Sequence, residues 1–205
     1  MSPASERTPS SKGEATRARI VQRALELAAT FGLERISIGE LALDLGISKS
    51  GLFAHFGSKE QLQLDVLDLA AELFRQGVFD PAVRADRGEA KVARLFENLL
   101  GWIGSRGVPG GCIFLAGAFE WDDAEGPVRE RVVEWFEKFN ASLARAASVA
   151  IKEGEFRADL DPELFSYELY GILAKFHLES RLLRNRKASS LARRAFKRLL
   201  EDARG

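Results

Sequence analysis

Residues 37–61 of the chain, SIGELALDLGISKSGLFAHFGSKEQ, predict two short helices and the start of a third. Apolar residues spaced by three and four positions mark the first helix, which Ser37 and Glu40 begin as a capping box. Gly46 predicts its end, and Ser48 is the expected N-cap of the second helix. The stretch therefore predicts two helices joined by a tight turn.

The second predicted helix has one apolar side and one small, polar side. Leu52 and Phe56 lie one turn apart and are expected to face the core. At about 100° per residue, Ser50 and Ala54 point the opposite way. This pattern matches a helix-turn-helix, because small outward side chains let a helix backbone enter a DNA major groove. The alternative interpretation is an ordinary corner within an all-helical core.

Residues 45–62, LGISKSGLFAHFGSKEQL, closely resemble the DNA-binding signature of the TetR family of bacterial transcriptional repressors. With the helix that precedes it, the resemblance covers the N-terminal part of the chain, and the remainder agrees in length and helix pattern only. The family usually has a tyrosine at the position of Phe53, so one hydroxyl–phosphate contact is absent here. Gly39 stands where some members place a base-reading arginine. The resemblance implies a DNA-binding regulator.

Taken together, the helix orientation and the resemblance define expected DNA-binding residues. The side chains expected to hold phosphates are Ser37 and Lys59. Those expected at the groove floor are Lys49, Ser50, Gly51 and His55. Phe53 is expected against a sugar or a thymine methyl group. Further candidates for phosphate contacts are Lys49 itself and the group of Arg7, Lys12, Arg17 and Arg19.

Composition limits the class of protein. The chain has 205 residues, of which 46% are hydrophobic and 29% charged, as in a soluble globular protein with ample length for a core. No apolar run approaches the about 20 residues that span a bilayer, and the N-terminus lacks the apolar segment of a secretory signal. The single cysteine, Cys112, permits no internal disulfide. We expect a cytoplasmic protein without a membrane partner.

Charge is distributed unevenly along a chain whose formal net charge is zero. Residues 1–60 carry eight basic and seven acidic side chains, residues 61–180 carry 13 and 21, and residues 181–205 carry nine and two. The predicted DNA-binding part is therefore close to neutral. Operator binding would depend on a few placed phosphate contacts, not on a broad basic surface.

Helical periodicity recurs along the chain, and no segment sustains the alternation of a strand, so we predict an all-α fold. The expected domains are a disordered arm at 1–13, a helix-turn-helix DNA-binding domain at 14–60, and a larger helical ligand-binding and dimerisation domain at 61–205. The helix expected at about 59–79 is apolar on two sides and should connect the two domains. A turn is expected at 80–88.

Aromatic side chains are concentrated in the second predicted domain. Most such residues pack in a core or a dimer interface, but the resemblance implies a small-molecule pocket among the middle helices. The candidate ligand-binding residues are Trp102, Phe114, Phe119, Phe136, Phe176 and His177. Asn98 and Cys112 are further polar candidates. A mostly apolar lining would suit a hydrophobic effector.

No pattern predicts catalysis, a cofactor or a metal site. The glycines at 107, 110 and 111 lack the strand and the Lys-Ser or Lys-Thr of a phosphate loop. The alternative to a regulator is a helical small-molecule-binding or hydrolytic protein, which would require Cys112 and His177 to act as nucleophile and base. A third hypothesis is a DNA-binding protein without an effector.

The resemblance also implies a homodimer, built from the last two helices and their symmetry mates. Two recognition helices would then meet a pseudo-palindromic operator with half-sites about 34–36 Å apart. An effector that favours a splayed dimer would release the protein from DNA. The predicted function is an effector-responsive transcriptional regulator, most consistent with a repressor.

Overall fold

The computed structural model describes residues 11–85, 87–106 and 111–205, which form ten α-helices and no β-strand. The helices are α1 (Ser11–Phe31), α2 (Ile38–Asp44), α3 (Lys49–Phe56), α4 (Lys59–Phe74), α5 (Asp80–Ala85), α6 (Gly88–Gly101), α7 (Ile113–Gly117), α8 (Pro127–Lys152), α9 (Pro162–His177) and α10 (Ala188–Arg204). Wider π-helical turns extend α4 over Arg75–Phe79, α6 over Trp102–Arg106 and α9 over Leu178–Leu182. The predicted all-α fold is confirmed.

The first three helices form a small unit, which we call the head. Their apolar faces meet around Ile20, Leu25, Leu41 and Leu52, each of which is fully buried. Burial of such side chains stabilises the unit by about 1.5–3 kcal/mol each. These residues belong to one buried apolar cluster that continues from the head into the rest of the described chain.

Helix α4 joins the head to the remaining helices, α5–α10, which we call the body. It packs against α1 of the head and against α8 of the body. Leu62 and Val66 are fully buried in the first half, and Phe74 is buried near its end. The prediction that this helix connects two bodies agrees with this packing.

The body is a bundle in which α8 packs between α6 and α9, and α10 covers α9. The Phe96 and Phe196 rings stack at 3.9 Å between centroids and fasten α10 to α6. The Arg157 N–H donates to the Ala203 carbonyl at 2.8 Å, which ties the chain before α9 to the end of α10. These contacts hold α9 and α10 side by side along one side of the body.

The turn expected at 80–88 is wrong in its first part, because residues 80–85 are helical. The π-helical turn before them widens the backbone, so that the Asp80 N–H donates to the Arg75 carbonyl five residues back. Pro81 has no N–H to donate, and it is tolerated directly after this wide turn. Helix α6 then begins at Gly88, the last residue of the expected turn.

At the N-terminus, α1 begins at Ser11, three residues inside the predicted disordered arm. Residues 1–10 of that arm, including Arg7, lie outside the described residues. Within the part of the chain that the structure describes, no helix is both long and apolar enough to cross a membrane.

Candidate nucleic-acid interface

Helix α3 is held at both ends by the residues that predict its bounds. The Ser48 side chain accepts a hydrogen bond from the Gly51 N–H at 3.0 Å and caps the N-terminus. At the other end Gly57 adopts a φ of 73°, which favours glycine, and its N–H donates to the Phe53 carbonyl. The two caps fix the direction in which this eight-residue helix presents its side chains.

The inner and outer sides of α3 are those that the spacing predicts. Leu52 and Phe56 are buried against the head. The exposed residues on the other side are Lys49, Ser50, Phe53 and Ala54. His55 is half-buried, with its ring 6.3 Å from that of Phe56. The Phe53 ring is 49% exposed, whereas the small side chains of Ser50 and Ala54 leave the helix backbone free to approach DNA closely.

Gly51 has a structural role that its small size alone does not reveal. A Cβ atom built on Gly51 would lie 2.9 Å from the Ser48 Oγ, closer than such atoms normally approach. Any side chain at Gly51 would therefore disturb the cap of α3. Glycine at this position therefore suits the cap of the helix as well as access to a groove.

Ser37 and Lys59 begin helices α2 and α4. The Ser37 side chain accepts from the Glu40 N–H at 3.4 Å. That geometry leaves the hydroxyl hydrogen free to donate to a phosphate. The Lys59 ammonium forms an ion pair with Glu34, with Nζ 2.9 Å from Oε1, and also donates to the Glu34 carbonyl. A phosphate at Lys59 would have to compete with this pair.

The Glu34 carboxylate is held firmly on α4. The hydrogen bond from Lys59 keeps the pKa of the Glu34 carboxyl below its usual value, and a second one from Gln63 acts in the same direction. Gln63 is 3% exposed, and its amide also donates to the Leu33 carbonyl. This network attaches the turn between α1 and α2 to the start of α4.

The other basic side chains expected near DNA differ in their surroundings. Lys12 and Arg19 are exposed on α1. Arg17 forms an ion pair with Asp65 of α4 and lies over the Phe56 ring, 5.0 Å from its centroid. It therefore helps to pack α1 on α3 and α4, so a phosphate contact would have to share its guanidinium.

An apolar cavity lies in the body among aromatic rings. Its volume is about 10 Å³, room for no more than a single water molecule. The lining residues are Phe74, Leu99, Ile103, Cys112, Leu115, Trp135, Phe139, Tyr170 and Leu173. Any ligand there would have to displace packed side chains.

None of the six predicted ligand-binding residues lines this cavity, although three of them pack against aromatic rings that do. Phe114 stacks on Trp135 at 4.0 Å, Trp102 meets the Phe74 ring edge-on at 5.5 Å, and Phe136 meets Trp135 at 5.1 Å. The other three are a buried Phe176, a half-buried His177 and Phe119, which is 82% exposed. Cys112 lines the cavity, whereas Asn98 donates to the Val78 carbonyl.

The side chains of the hydrolytic alternative lie in surroundings that oppose nucleophilic catalysis. Burial raises the pKa of the Cys112 thiol, which keeps it protonated and weakly nucleophilic. Burial also lowers the pKa of His177, an effect that Arg181 increases. The His177 Nδ1 is buried without a hydrogen-bond partner, so no carboxylate of the described residues orients the ring there. Within the same residues no cluster of His, Cys, Asp or Glu could hold a metal ion.

Comparison with known proteins covers both parts of the chain. A family model described as bacterial regulatory proteins of the tetR family matches residues 20–66. A second, described as the tetracyclin repressor-like C-terminal domain, matches residues 88–196. Among curated proteins, the nucleoid occlusion factor SlmA of Marinobacter nauticus is 26% identical over 148 residues, which cover 71% of each chain.

Solved structures of bacterial transcriptional regulators share the fold of this chain. A TetR transcriptional regulator from Chloroflexus aurantiacus is 25% identical, with a TM-score of 0.82 over 93% of this chain and 94% of its own. AibR, solved in complex with isovaleryl coenzyme A and operator DNA, has the same fold at 19% identity, with a TM-score of 0.67 over 86% of this chain and 95% of its own. Members of the family are regulators and not enzymes. The chain belongs to the TetR family of bacterial transcriptional regulators.

Proposed function

We propose that the chain is a homodimeric transcriptional repressor that binds a pseudo-palindromic operator through α3 and is released by a small, uncharged, apolar effector. The head corresponds to the proposed DNA-binding domain at 14–60, and residues 61–205 form the proposed ligand-binding and dimerisation domain. The proposed DNA contacts are Ser37, Lys49, Ser50, Gly51, Phe53, His55 and Lys59.

The observation that carries this proposal is the outer surface of α3. Ser50 and Ala54 are exposed on the side opposite Leu52 and Phe56, which fasten the helix to the head. A groove-binding helix needs such a surface, because its backbone must come close to the base edges. A helix that merely completed a core would have no need of a small exposed side.

The test is a pair of matched alanine-to-leucine substitutions. Ala54→Leu adds bulk to the outer surface of α3, and Ala141→Leu adds the same bulk to an exposed position of α8. On an operator obtained by selection with the purified protein, Ala54→Leu should abolish retardation in a gel and Ala141→Leu should leave it unchanged. Equal binding by both variants would remove α3 from the interface.

Exposed apolar side chains on α9, on its π-helical extension and on α10 support the proposed dimer. Tyr167 is 76% exposed, and Leu164, Leu182 and Leu191 are also exposed. Such residues together favour a protein interface more than a solvated surface. Tyr167→Glu should halve the mass in solution, whereas Leu43→Glu, at an exposed leucine of the head, should not change it. A monomeric wild-type chain would contradict the proposal.

The composition of the cavity supports an uncharged, apolar effector. Its lining has no ionised side chain, and the lining residues that carry a polar atom are Cys112, Trp135 and Tyr170. We propose that the effector enters between α7 and α8, where Phe114 and Trp135 stack, and that Trp102, Phe119, Phe136, Phe176 and His177 contribute when the cavity opens. Release from DNA follows if the effector binds the opened form more tightly, since equal affinity for both forms would shift nothing.

A further inference from the structure

A carboxylate of the body holds the backbone of the head. Glu120 follows α7, and its two oxygens accept hydrogen bonds from the N–H groups of Leu33 and Glu34 at 3.0 and 2.6 Å. Leu33 and Glu34 belong to the head and Glu120 to the body, and the sequence separations are 87 and 86 residues. Bonds from backbone N–H groups to an ionised carboxylate are among the stronger hydrogen bonds in proteins.

The turn after α1 is shaped to receive this carboxylate. Gly32 ends α1 with a φ of 100°, which turns the next two N–H groups toward Glu120. A Cβ atom on Gly32 would lie 3.0 Å from the Glu120 Oε1. Glycine is therefore needed here for the backbone conformation and for the close approach of the carboxylate.

The same turn is held from its other side by α4. The Glu34 carboxylate accepts from Lys59 and Gln63, and the Gln63 amide also donates to the Leu33 carbonyl. Ser37, the N-cap of α2, follows within three residues. The position of the helix pair α2–α3 thus depends on a turn held between α4 and Glu120.

Glu120 is in turn fixed to the wall of the cavity. Its own N–H donates to the Gly117 carbonyl at 3.0 Å, which links it to the end of α7. On α7, Phe114 stacks on Trp135 and Leu115 lines the cavity. A ligand that opens the cavity by displacing α7 would therefore move the residue that holds the head.

We propose that Glu120 is a positioning residue, a latch through which α7 sets the orientation of the head and through which the effector loosens it. The latch deepens the proposed function and rests on it for its regulatory meaning. Its physical part, the control of the 32–36 turn by the Glu120 carboxylate, stands independently of DNA binding.

The test compares Glu120→Gln and Glu120→Ala with Glu125→Gln, a matched change at an exposed glutamate in the loop after α7. Amide hydrogen exchange of the full-length protein is followed by NMR. The Glu120→Gln side chain keeps the size of glutamate but has one oxygen, so one of the Leu33 and Glu34 amides should exchange at least about tenfold faster. In Glu120→Ala both amides should exchange faster, and in Glu125→Gln neither amide should change its rate. If Glu120 only filled space, glutamine would replace it without any change in amide exchange. Unchanged exchange in both Glu120 variants would overturn the latch.

Operator binding gives the second readout. Loss of the latch leaves the surface of α3 intact but lets the two heads of a dimer move, so Glu120→Gln should bind the selected operator about tenfold more weakly. Its affinity for non-specific DNA should equal that of the wild type. An unchanged operator affinity would overturn the regulatory role of Glu120. If the wild-type chain selects no DNA, the proposed function fails, and the exchange measurement alone decides the physical latch.

Discussion

Removal of the α3 cap should weaken operator binding by an amount that follows from its geometry. In Ser48→Ala the Gly51 N–H loses the acceptor that lies 3.0 Å away in the wild type. The loss of such a cap costs about 1 kcal/mol per protomer. Two heads bind one operator, so the expected weakening is about 2 kcal/mol, or about 30-fold in Kd. Fluorescence anisotropy on the selected operator measures this change.

Two controls separate the cap from a general loss of stability. Asp161 caps α9 in the body with hydrogen bonds from the Glu163 and Leu164 N–H groups, so Asp161→Ala should cost a similar free energy of unfolding without changing operator Kd. Ser48→Thr retains a capping hydroxyl and should bind within about twofold of the wild type. If Ser48→Ala keeps wild-type affinity, or if Asp161→Ala weakens binding equally, the ordering of α3 does not limit recognition.

Three further changes test the electrostatics and the packing. If each Lys49 contacts one phosphate, Lys49→Ala should lower the magnitude of the slope of log Kobs against log salt concentration by about 1.8 for the dimer. The control Lys152→Ala, at an exposed lysine of α8, should leave the slope unchanged. An unchanged slope in Lys49→Ala would contradict the phosphate contact. Phe114→Ala should reduce the free energy of unfolding in denaturant by about 3–5 kcal/mol, because its ring is buried and stacked, and a loss under about 1 kcal/mol would refute that packing. Because the pKa of the Glu34 carboxyl is lowered in the folded state, this group stabilises the fold above pH 4.5, and the stabilisation is lost as the pH falls through the folded-state pKa. The free energy of unfolding of the wild type should therefore decline more steeply with acid than that of Glu34→Gln. Parallel pH profiles would argue against the Lys59–Glu34 pair.

The ends of α2 and α3 and the start of α4 could be predicted from the sequence because their signals are local. Ser37, Ser48 and Ser58 each accept a hydrogen bond from an N–H three residues later, so each cap depends on a short stretch of chain. Gly46 and Gly57 end their helices with positive φ values that favour glycine. Helix periodicity then separates the buried Leu52 and Phe56 of α3 from its exposed side.

Contacts between distant segments could not be predicted in the same way. The pairing of Lys59 with Glu34 spans 25 residues and turns an expected phosphate ligand toward the protein. The bonds from Leu33 and Glu34 to Glu120 cross between the head and the body. No local pattern marks Glu120, because its role depends on how two units pack and not on its neighbours in sequence.

The cavity illustrates a second limit of sequence patterns. Periodicity identifies which aromatic residues face inward, but not which of them reach the centre of the bundle. Phe139 lines the cavity, whereas Phe114 packs against Trp135 behind the lining. Phe119 lies beyond the end of α7 at Gly117, where the helical period no longer determines its direction, and it is exposed.

Selection of bound fragments from genomic DNA by the purified full-length protein tests the central claim most directly. The account predicts one enriched motif with twofold symmetry, whose half-sites lie about 34–36 Å apart along the DNA. Two copies of the chain should bind each such motif. The Ala54→Leu variant should enrich no motif under the same conditions. Absence of enrichment by the wild-type protein, or a motif without twofold symmetry, would contradict the account.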